Sequence, residues 1–239
     1  MRILLPPSET KALGGESPAL EVSPIRDSLE NARDEVIAAV IDLCENREQA
    51  IKALKLGPKQ LDDVERNLQI KSSPTMPAVQ RYTGVLFDSL KAEGDVPDSS
   101  LSIQSSMFGL IPAYTPIPYY RLSWDSKLVG LNLKKHWQQA HSDFFSSEEQ
   151  VLDMRSKSYQ QLAPVSGENC WIVEVLVEYS NGSRKPLNHF NKKAKGVFAR
   201  FAAKENLSGI DQVHEIANLA NQKAEVKGSL VTLVVPEGY

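Results

Sequence analysis

The sequence predicts a mixed α/β (α+β) fold: a single compact domain over residues 1–239, with a mixed sheet, flanking helices and a helix-hairpin-helix-like element. Three observations support this fold class. Short apolar runs of strand length alternate with segments of helical periodicity. Hydrophobic residues make up 41% and charged residues 24% of the chain, which is typical of a globular protein with a packed core. No repeat, linker or low-complexity block divides the sequence.

The first half is predicted to hold one buried strand followed by helices. The apolar run 2–5 must stop as a strand at Pro6-Pro7, because proline has no N–H to donate to a sheet. A polar loop follows it over 8–24. Asp27 or Ser28 can cap a helix that runs to about Cys44. Further helices are expected at 46–55, from Lys59 onward and, after a loop at 71–77, at 78–92.

The second half is predicted to return to the sheet repeatedly. The run 171–179 alternates as a strand does, and Asn181-Gly182 after it is a strong hairpin signal. The segment 148–155 fits either a strand or a helix end. Other strands are expected at 101–104, 128–131 and 230–235, and helices at 133–140, 192–203 and 209–224.

The composition excludes several protein classes. No run approaches the roughly 20 apolar residues of a membrane span, and no signal-peptide core precedes Pro6, so we expect a cytoplasmic protein without membrane contact. The two cysteines, Cys44 and Cys170, form no CxxC and exclude a disulfide framework. Four histidines form no HxH or HExxH, and neither GxGxxG nor GxSxG occurs, so no metal and no cofactor are expected.

The charge distribution points to a local phosphate-binding surface. The formal net charge is −3, yet residues 181–204 contain seven Lys and Arg residues and no acid. Cations on successive helical turns present one face to a polyanion. We therefore predict DNA contacts from this segment, although a solvated helix face is the alternative. The predicted DNA-binding residues here are Lys192, Lys193, Lys195 and Arg200.

A second predicted DNA contact lies between the two short helices after residue 46. A tight turn containing Gly57 joins them, and Lys55 and Lys59 flank it. A helix-hairpin-helix of this kind directs backbone N–H groups at a phosphate. An ordinary corner between two helices is the alternative, because the turn has a single glycine.

Polar side chains that follow predicted strands suggest a cleft. Ser8, Glu9 and Lys11 come directly after the first strand, where open α/β sheets place ligands. Glu9 and Asp153 are the candidate catalytic carboxylates, since a carboxylate held in a cleft can serve as a general base. Asp153 and Arg155 can equally form an ion pair. The remaining predicted cleft residues are Tyr82, Arg121 and Arg155.

The order of several segments resembles the YaaA family of peroxide-stress resistance proteins. These segments are PPSETK at the start, RYTG at 81–84, SSMFGLI at 105–111, PYYRL at 118–122, LDMRSKSY at 152–159, NHFNKKAKG at 188–196 and the final EGY. The resemblance covers nearly the whole chain. One departure is Thr10, where many relatives have glycine in PPSEGK. The stretch around 54–60 is the part least similar to the family.

The resemblance implies a cytosolic bacterial protein that promotes survival of hydrogen peroxide by limiting free iron. It also implies one α/β domain with a helix-hairpin-helix and a positively charged cleft that binds duplex or branched DNA. Two functions stay open at this point. The first is a DNA-binding protein of the peroxide response, and the second is an enzyme that acts on a nucleobase, nucleotide or damaged DNA in the same cleft. Iron sequestration has less support, because hard iron sites group His with carboxylates.

Overall fold

The computed structural model describes residues 1–91, 96–97, 101–146, 148–165, 167–186 and 191–239. It confirms the predicted fold class, a mixed sheet with helices packed against it. The part of the acid-free segment at 187–190, including His189, lies outside the described residues. The strands are β1 (Arg2–Leu5), β2 (Met76–Pro77), β3 (Leu101–Ser105), β4 (Gly109–Pro112), β5 (Pro116–Ile117), β6 (Val151–Asp153), β7 (Cys170–Glu178), β8 (Arg184–Pro186), β9 (Lys223–Lys227) and β10 (Leu230–Pro236).

The helices belong mainly to two stretches, one before β3 and one between β8 and β9. Two short 3-10 helices, Pro58–Gln60 and Ile210–Gln212, precede α3 and α9. The α-helices are α1 (Glu30–Glu45), α2 (Arg47–Ala53), α3 (Asp63–Leu68), α4 (Ala78–Arg81), α5 (Val85–Leu90), α6 (Leu133–Ala140), α7 (Lys157–Gln160), α8 (Asn191–Lys204) and α9 (Val213–Leu219).

The main sheet has the strand order β4-β3-β1-β6-β7-β10-β9, with β8 paired to β7. The neighbours from β3 through β10 are parallel, whereas β4, β8 and β9 pair antiparallel to their partners. In this register Leu5 lies opposite Ile103, and Leu4 lies opposite Asp153. The carboxyl ends of β1, β3 and β6 therefore meet at one edge of the sheet.

One face of the sheet carries most of the core. Ile3 and Leu5 of β1 pack there with Val36, Val40 and Phe198 of the helices. Leu4 points to the other face and joins a smaller cluster. Alternate residues of a strand point to opposite faces, so a single short strand contributes to both clusters. The antiparallel pair β2 and β5 forms a separate small sheet.

Several predicted elements differ from the structure. The helix predicted at 78–92 is interrupted at Gly84, whose φ of 94° is a left-handed conformation that ends α4 and lets α5 begin anew. No strand forms at 128–131, although that range is fully described. The helix predicted at 209–224 ends at Leu219, because Lys223 already belongs to β9. Strands β4 and β9 were not predicted.

Candidate functional site

The candidate site lies at the carboxyl ends of β1, β3 and β6. Strand β1 is central, and strands that follow it in sequence pair on both of its sides. Open α/β sheets bind ligands at such a switch point, because the loops from neighbouring strands diverge there and leave a crevice. The loops that follow are 6–11 after β1, 106–108 after β3 and 154–156 after β6.

A cleft of about 280 Å³ opens beside the loop after β1. Its walls come from that loop, from the start of α5 and from Lys192 of α8. Gly84 shapes one wall: a Cβ there would lie 3.4 Å from Thr10 Oγ1 and 3.5 Å from Ser8 Oγ. The lining residues are Pro6, Pro7, Ser8, Glu9, Thr10, Thr83, Gly84, Val85, Leu86, Phe87 and Lys192.

Glu9 is the carboxylate that faces this cleft. Its side chain is 54% exposed, and Oε2 lies 2.9 Å from Nη1 of Arg121. Ser123 donates its hydroxyl to the same carboxylate at 2.9–3.0 Å. Nε of Arg121 is buried and has no hydrogen-bond partner among the described residues.

Lys11 lies beside Glu9 without an ion pair in the described part of the chain. Its Nζ donates to the carbonyl of Ser8 at 3.1 Å and reaches that of Glu9 at 3.5 Å. It also lies 4.3 Å from the ring centroid of Tyr120. Burial lowers the pKa of Lys11 to about 7, and the Glu9 carboxylate only partly opposes this shift.

A chain of buried hydroxyls lies beneath Lys11. Tyr82 and Tyr120 share a hydrogen bond of 2.7 Å, and Tyr120 contacts Ser105 Oγ at 2.9 Å. Burial raises the pKa of Tyr120 to about 12. Burial also raises the pKa of Tyr82 well above its ordinary value. Tyr82 is 0% exposed. This predicted cleft residue therefore supports the cleft from below, and its ring has no open face for a base.

Asp153 and Arg155 form a buried ion pair. Arg155 is bidentate on Asp153, with Nε 2.9 Å from Oδ1 and Nη2 2.7 Å from Oδ2. It also donates to Gln104 and to the carbonyl of Ala163. Asp153 is 4% and Arg155 1% exposed. From the sequence, Asp153 could be either a general base or the partner of Arg155 in an ion pair. The geometry matches the ion pair, because both carboxylate oxygens of Asp153 already accept hydrogen bonds from Arg155.

The cations predicted on α8 divide between surface and interior. Lys192 is exposed and lines the cleft, and Lys193 lies over the ring of Tyr239 at 5.0 Å. Lys195 is 7% exposed and donates to the carbonyl of Met154 at 2.9 Å. Arg200 is 8% exposed and donates to the carbonyl of Ser89. Of these four cations, only Lys192 and Lys193 are placed where a phosphate could reach them.

The predicted helix-hairpin-helix segment contacts the loop over residues 121–125. Lys55 and Lys59 are exposed, and Lys55 is ion-paired with Asp125, two residues after Ser123. The side-chain amide of Asn67 in α3 forms two hydrogen bonds with the backbone of Arg121, each 2.8 Å long: its Nδ2 donates to the carbonyl, and its Oδ1 accepts from the N–H. The segment is therefore attached to the loop that holds Glu9.

The turn at Gly57 lies between α2 and the 3-10 helix Pro58–Gln60. That this element is a helix-hairpin-helix stays a prediction. Lys55 adopts a left-handed φ of 55°, which ends the helical path after α2. Gly57 N–H donates to the side chain of Gln60 at the start of the 3-10 turn. That bond occupies the backbone donor of the glycine that was expected to meet a phosphate.

Sequence reasoning missed Ser123, Ser105 and Tyr120 as parts of the site. Tyr120 stands out in the sequence only as part of the PYYRL segment, and no pattern marks Ser123. Arg81, next to Tyr82, is fully buried and donates to the carbonyls of Ala12 and Gly14. It therefore anchors the loop that carries Lys11.

Among the described residues, no helix combines the length and the apolar character of a membrane span. Within the same ranges, no three His, Cys, Asp or Glu side chains are grouped so that they could hold a metal ion.

Comparison with known proteins identifies relatives along almost the whole chain. The family model described as peroxide stress protein YaaA matches residues 1–224. A UPF0246 protein of Corynebacterium glutamicum is 37% identical over 250 residues, which cover 98% of this chain and 100% of the relative. A UPF0246 protein of Corynebacterium efficiens is 35% identical, with coverage of 98% and 100%. One from Streptomyces coelicolor is 32% identical, with coverage of 84% and 82%.

Proposed function

Because the chain belongs to the peroxide stress protein YaaA family, which supports a role in peroxide stress, we propose that it fulfils this role by binding DNA across the cleft. The DNA would be duplex or branched and would contact the helical segment around Gly57 as well as α8. We further propose that this binding protects DNA from damage caused by free iron. A cytoplasmic location is part of the same proposal.

One observation carries the proposal: one predicted cationic region lines the cleft through Lys192, and the other is ion-paired through Lys55 to the loop that holds Glu9 of the same cleft. Lys192 and Glu9 line it, and Glu9 is held by Arg121 and Ser123. From there the loop leads to Asp125 and its ion pair with Lys55. Exposed cations around a cleft release counterions when a phosphate backbone enters, which favours binding at low salt.

The experiment compares single charge reversals at three exposed lysines. Lys192→Glu and Lys59→Glu reverse charge at the cleft and at the turn, and neither residue forms an ion pair among the described residues. Lys227→Glu is the control, because Lys227 is 82% exposed on β9 at the far end of the sheet. Affinity for a labelled duplex and for a four-way junction is measured by fluorescence anisotropy at several salt concentrations.

Lys192→Glu and Lys59→Glu should each weaken binding to every sequence alike and should each reduce the slope of log K against log salt by about 0.9 or more. The Lys227 variant should behave as the unmodified protein does. Equal effects of all three reversals, or no binding to either DNA, would refute the site assignment.

A second function, an enzyme acting on a nucleobase, nucleotide or damaged DNA, is favoured by the position of Glu9. This carboxylate is fixed by two side chains and still faces the cleft, as a general base must. Glu9→Gln keeps the shape and removes the base. If the protein is such an enzyme, this variant loses product formation from duplexes with an oxidised base while retaining DNA affinity. Absence of product from damaged duplexes and from free nucleotides would eliminate this candidate.

A further inference from the structure

Of the three tryptophans in the chain, Trp124 is the one with an exposed ring. Its side chain belongs to a residue that is 41% exposed, whereas Trp137 is 0% and Trp171 8% exposed. Among the described residues, the indole of Trp124 has neither a ring nor a cation stacked on it and makes no hydrogen bond. The face of this indole is therefore available to a ligand.

The turn that carries Trp124 is held by hydrogen bonds. The N–H of Ser126 donates to the carbonyl of Ser123 at 3.1 Å, and Oγ of Ser126 accepts from the N–H of Ser123 at 3.0 Å. Just before the turn, the carbonyl of Leu122 accepts from Oγ of Ser106 at 2.6 Å. A ring presented on an ordered turn loses little conformational entropy when a ligand stacks on it.

Trp124 also lies between the two regions that are proposed to contact DNA. The residue before it, Ser123, donates to the carboxylate of Glu9 in the cleft. The residue after it, Asp125, is ion-paired with Lys55 of the predicted helix-hairpin-helix segment. A DNA that contacts both regions would therefore pass beside the indole.

A positively charged groove of about 590 Å³ is lined by Trp124. Lys127 and Lys134 line the same groove, and both are exposed. Asp125 is the one carboxylate among the described residues of its wall, and its charge is paired with Lys55. An open aromatic face with cations around it suits a nucleotide whose base is free to stack, because the cations bind the phosphates on either side.

We propose that Trp124 stacks on an unpaired base of a DNA duplex, while Lys127 and Lys134 contact the phosphates beside that base. In an intact duplex both faces of each base are covered by the neighbouring base pairs, so the indole has no face to stack on. A base without a pairing partner can leave the helix and offer its ring. This inference rests on the proposed function and names its ligand class, a duplex interrupted by an unpaired nucleotide.

The experiment compares three labelled duplexes of the same flanking sequence. The first is intact, the second carries one extra unpaired thymidine, and the third carries an unpaired abasic residue at that position. The third duplex keeps the extra phosphate and the bend of the second but has no base. By fluorescence anisotropy, the full chain should bind the duplex with the unpaired thymidine at least about fivefold more tightly than either of the others, because stacking of one base on an aromatic side chain contributes that much.

Variants at Trp124 test whether the preference comes from the indole. Trp124→Ala should lose the preference, and Trp124→Phe should keep part of it. Val129→Ala is the control, because Val129 is 68% exposed in the same loop and does not line the groove. Equal affinity for all three duplexes, or a preference that survives in Trp124→Ala, overturns the inference, and binding of the intact duplex then leaves the proposed function standing.

Acrylamide quenching of tryptophan fluorescence tests the same contact without a substitution at the site. Trp137 and Trp171 are buried, so the quenching reports mainly Trp124. The duplex with the unpaired thymidine should lower the quenching constant toward that of Trp124→Phe, and the abasic duplex should not. If no duplex binds, the proposed function fails and a short oligothymidylate decides the stacking site. Shielding of Trp124 by this oligonucleotide upholds the site, and unchanged quenching overturns it.

Discussion

Replacement of Gly196 by alanine should separate the two helices that form one side of the cleft. A Cβ at this position would lie 2.2 Å from the carbonyl oxygen of Leu86 and 2.9 Å from Cβ of Ser89. Approaches under 3.0 Å are essentially never seen for real Cβ atoms, so α5 and α8 must move apart by roughly 1 Å. The obstacle is backbone, which cannot rotate away as a side chain could.

The size of the effect follows from two opposing contributions. Overpacking a core costs up to about 3 kcal/mol, and the better helix propensity of alanine returns about 1 kcal/mol. The net loss of unfolding free energy is therefore about 2 kcal/mol, which lowers the melting temperature by about 4–8 °C in a chain of this size. DNA affinity should fall too, because Leu86 lines the cleft and Lys192 lies one turn before Gly196.

Thermal and urea unfolding measure this effect, with Gly57→Ala as the control. A Cβ at Gly57 would meet only the side-chain oxygen of Gln60, at 3.6 Å, and its φ of −79° suits alanine. That variant should stay within about 0.5 kcal/mol of the unmodified protein. If Gly196→Ala unfolds at the same midpoint as the control, the close contact between α5 and α8 is refuted.

Three further predictions concern buried charge. Asp153→Ala leaves the Arg155 guanidinium without its carboxylate and should cost about 3–5 kcal/mol in urea unfolding, whereas an unchanged midpoint would mean that the pair contributes nothing. Burial lowers the pKa of Lys195 to about 8 from 10.5, so the folded chain binds fewer protons than the unfolded chain between these values. The contribution of Lys195 to stability should therefore rise with pH through that window, and Lys195→Met should flatten the rise in urea midpoints. Burial also lowers the pKa of His141 to about 4 from 6.5. Its Nε2 accepts from Leu110 N–H, which an unprotonated ring nitrogen alone can do. Stability should accordingly fall as pH drops through that range, and His141→Gln should reduce this acid sensitivity.

The spacing of apolar residues along the sequence predicted most of the fold, because those residues form the core. The helix at 133–140 and the strand at 2–5 were predicted with the bounds that the structure shows, and the Asn181-Gly182 hairpin was predicted in place. The misses have local causes. Gly84 interrupts a continuous helical pattern, and 128–131 is apolar but has no neighbouring strand to pair with. Such outcomes depend on tertiary contacts, which one sequence does not display.

The candidate site was predictable only in part. The position of Ser8, Glu9 and Lys11 after the first strand was informative, because β1 proves to be central in the sheet. Ser123 lies 114 residues from Glu9 along the chain, and only the fold brings its hydroxyl to the carboxylate. The environment of Lys11 was equally hidden, since the ring of Tyr120 comes from a distant segment.

The acid-free segment shows why a run of like charges cannot be equated with a binding face. Ala194, Lys195 and Phe198 of α8 face the interior, so a helix that also carries Lys192 must turn part of its charge inward. The inward cations connect α8 to neighbouring elements: Lys195 donates to the loop after β6, and Arg200 donates to the end of α5. Reversing the charge of Lys195 would bury a carboxylate against a carbonyl, and the variant would lose DNA binding by unfolding. If the single variant Lys192→Glu loses DNA binding while its melting temperature stays unchanged, then Lys192 contacts a phosphate. A cation that only stabilises the fold would lower the melting temperature when its charge is reversed.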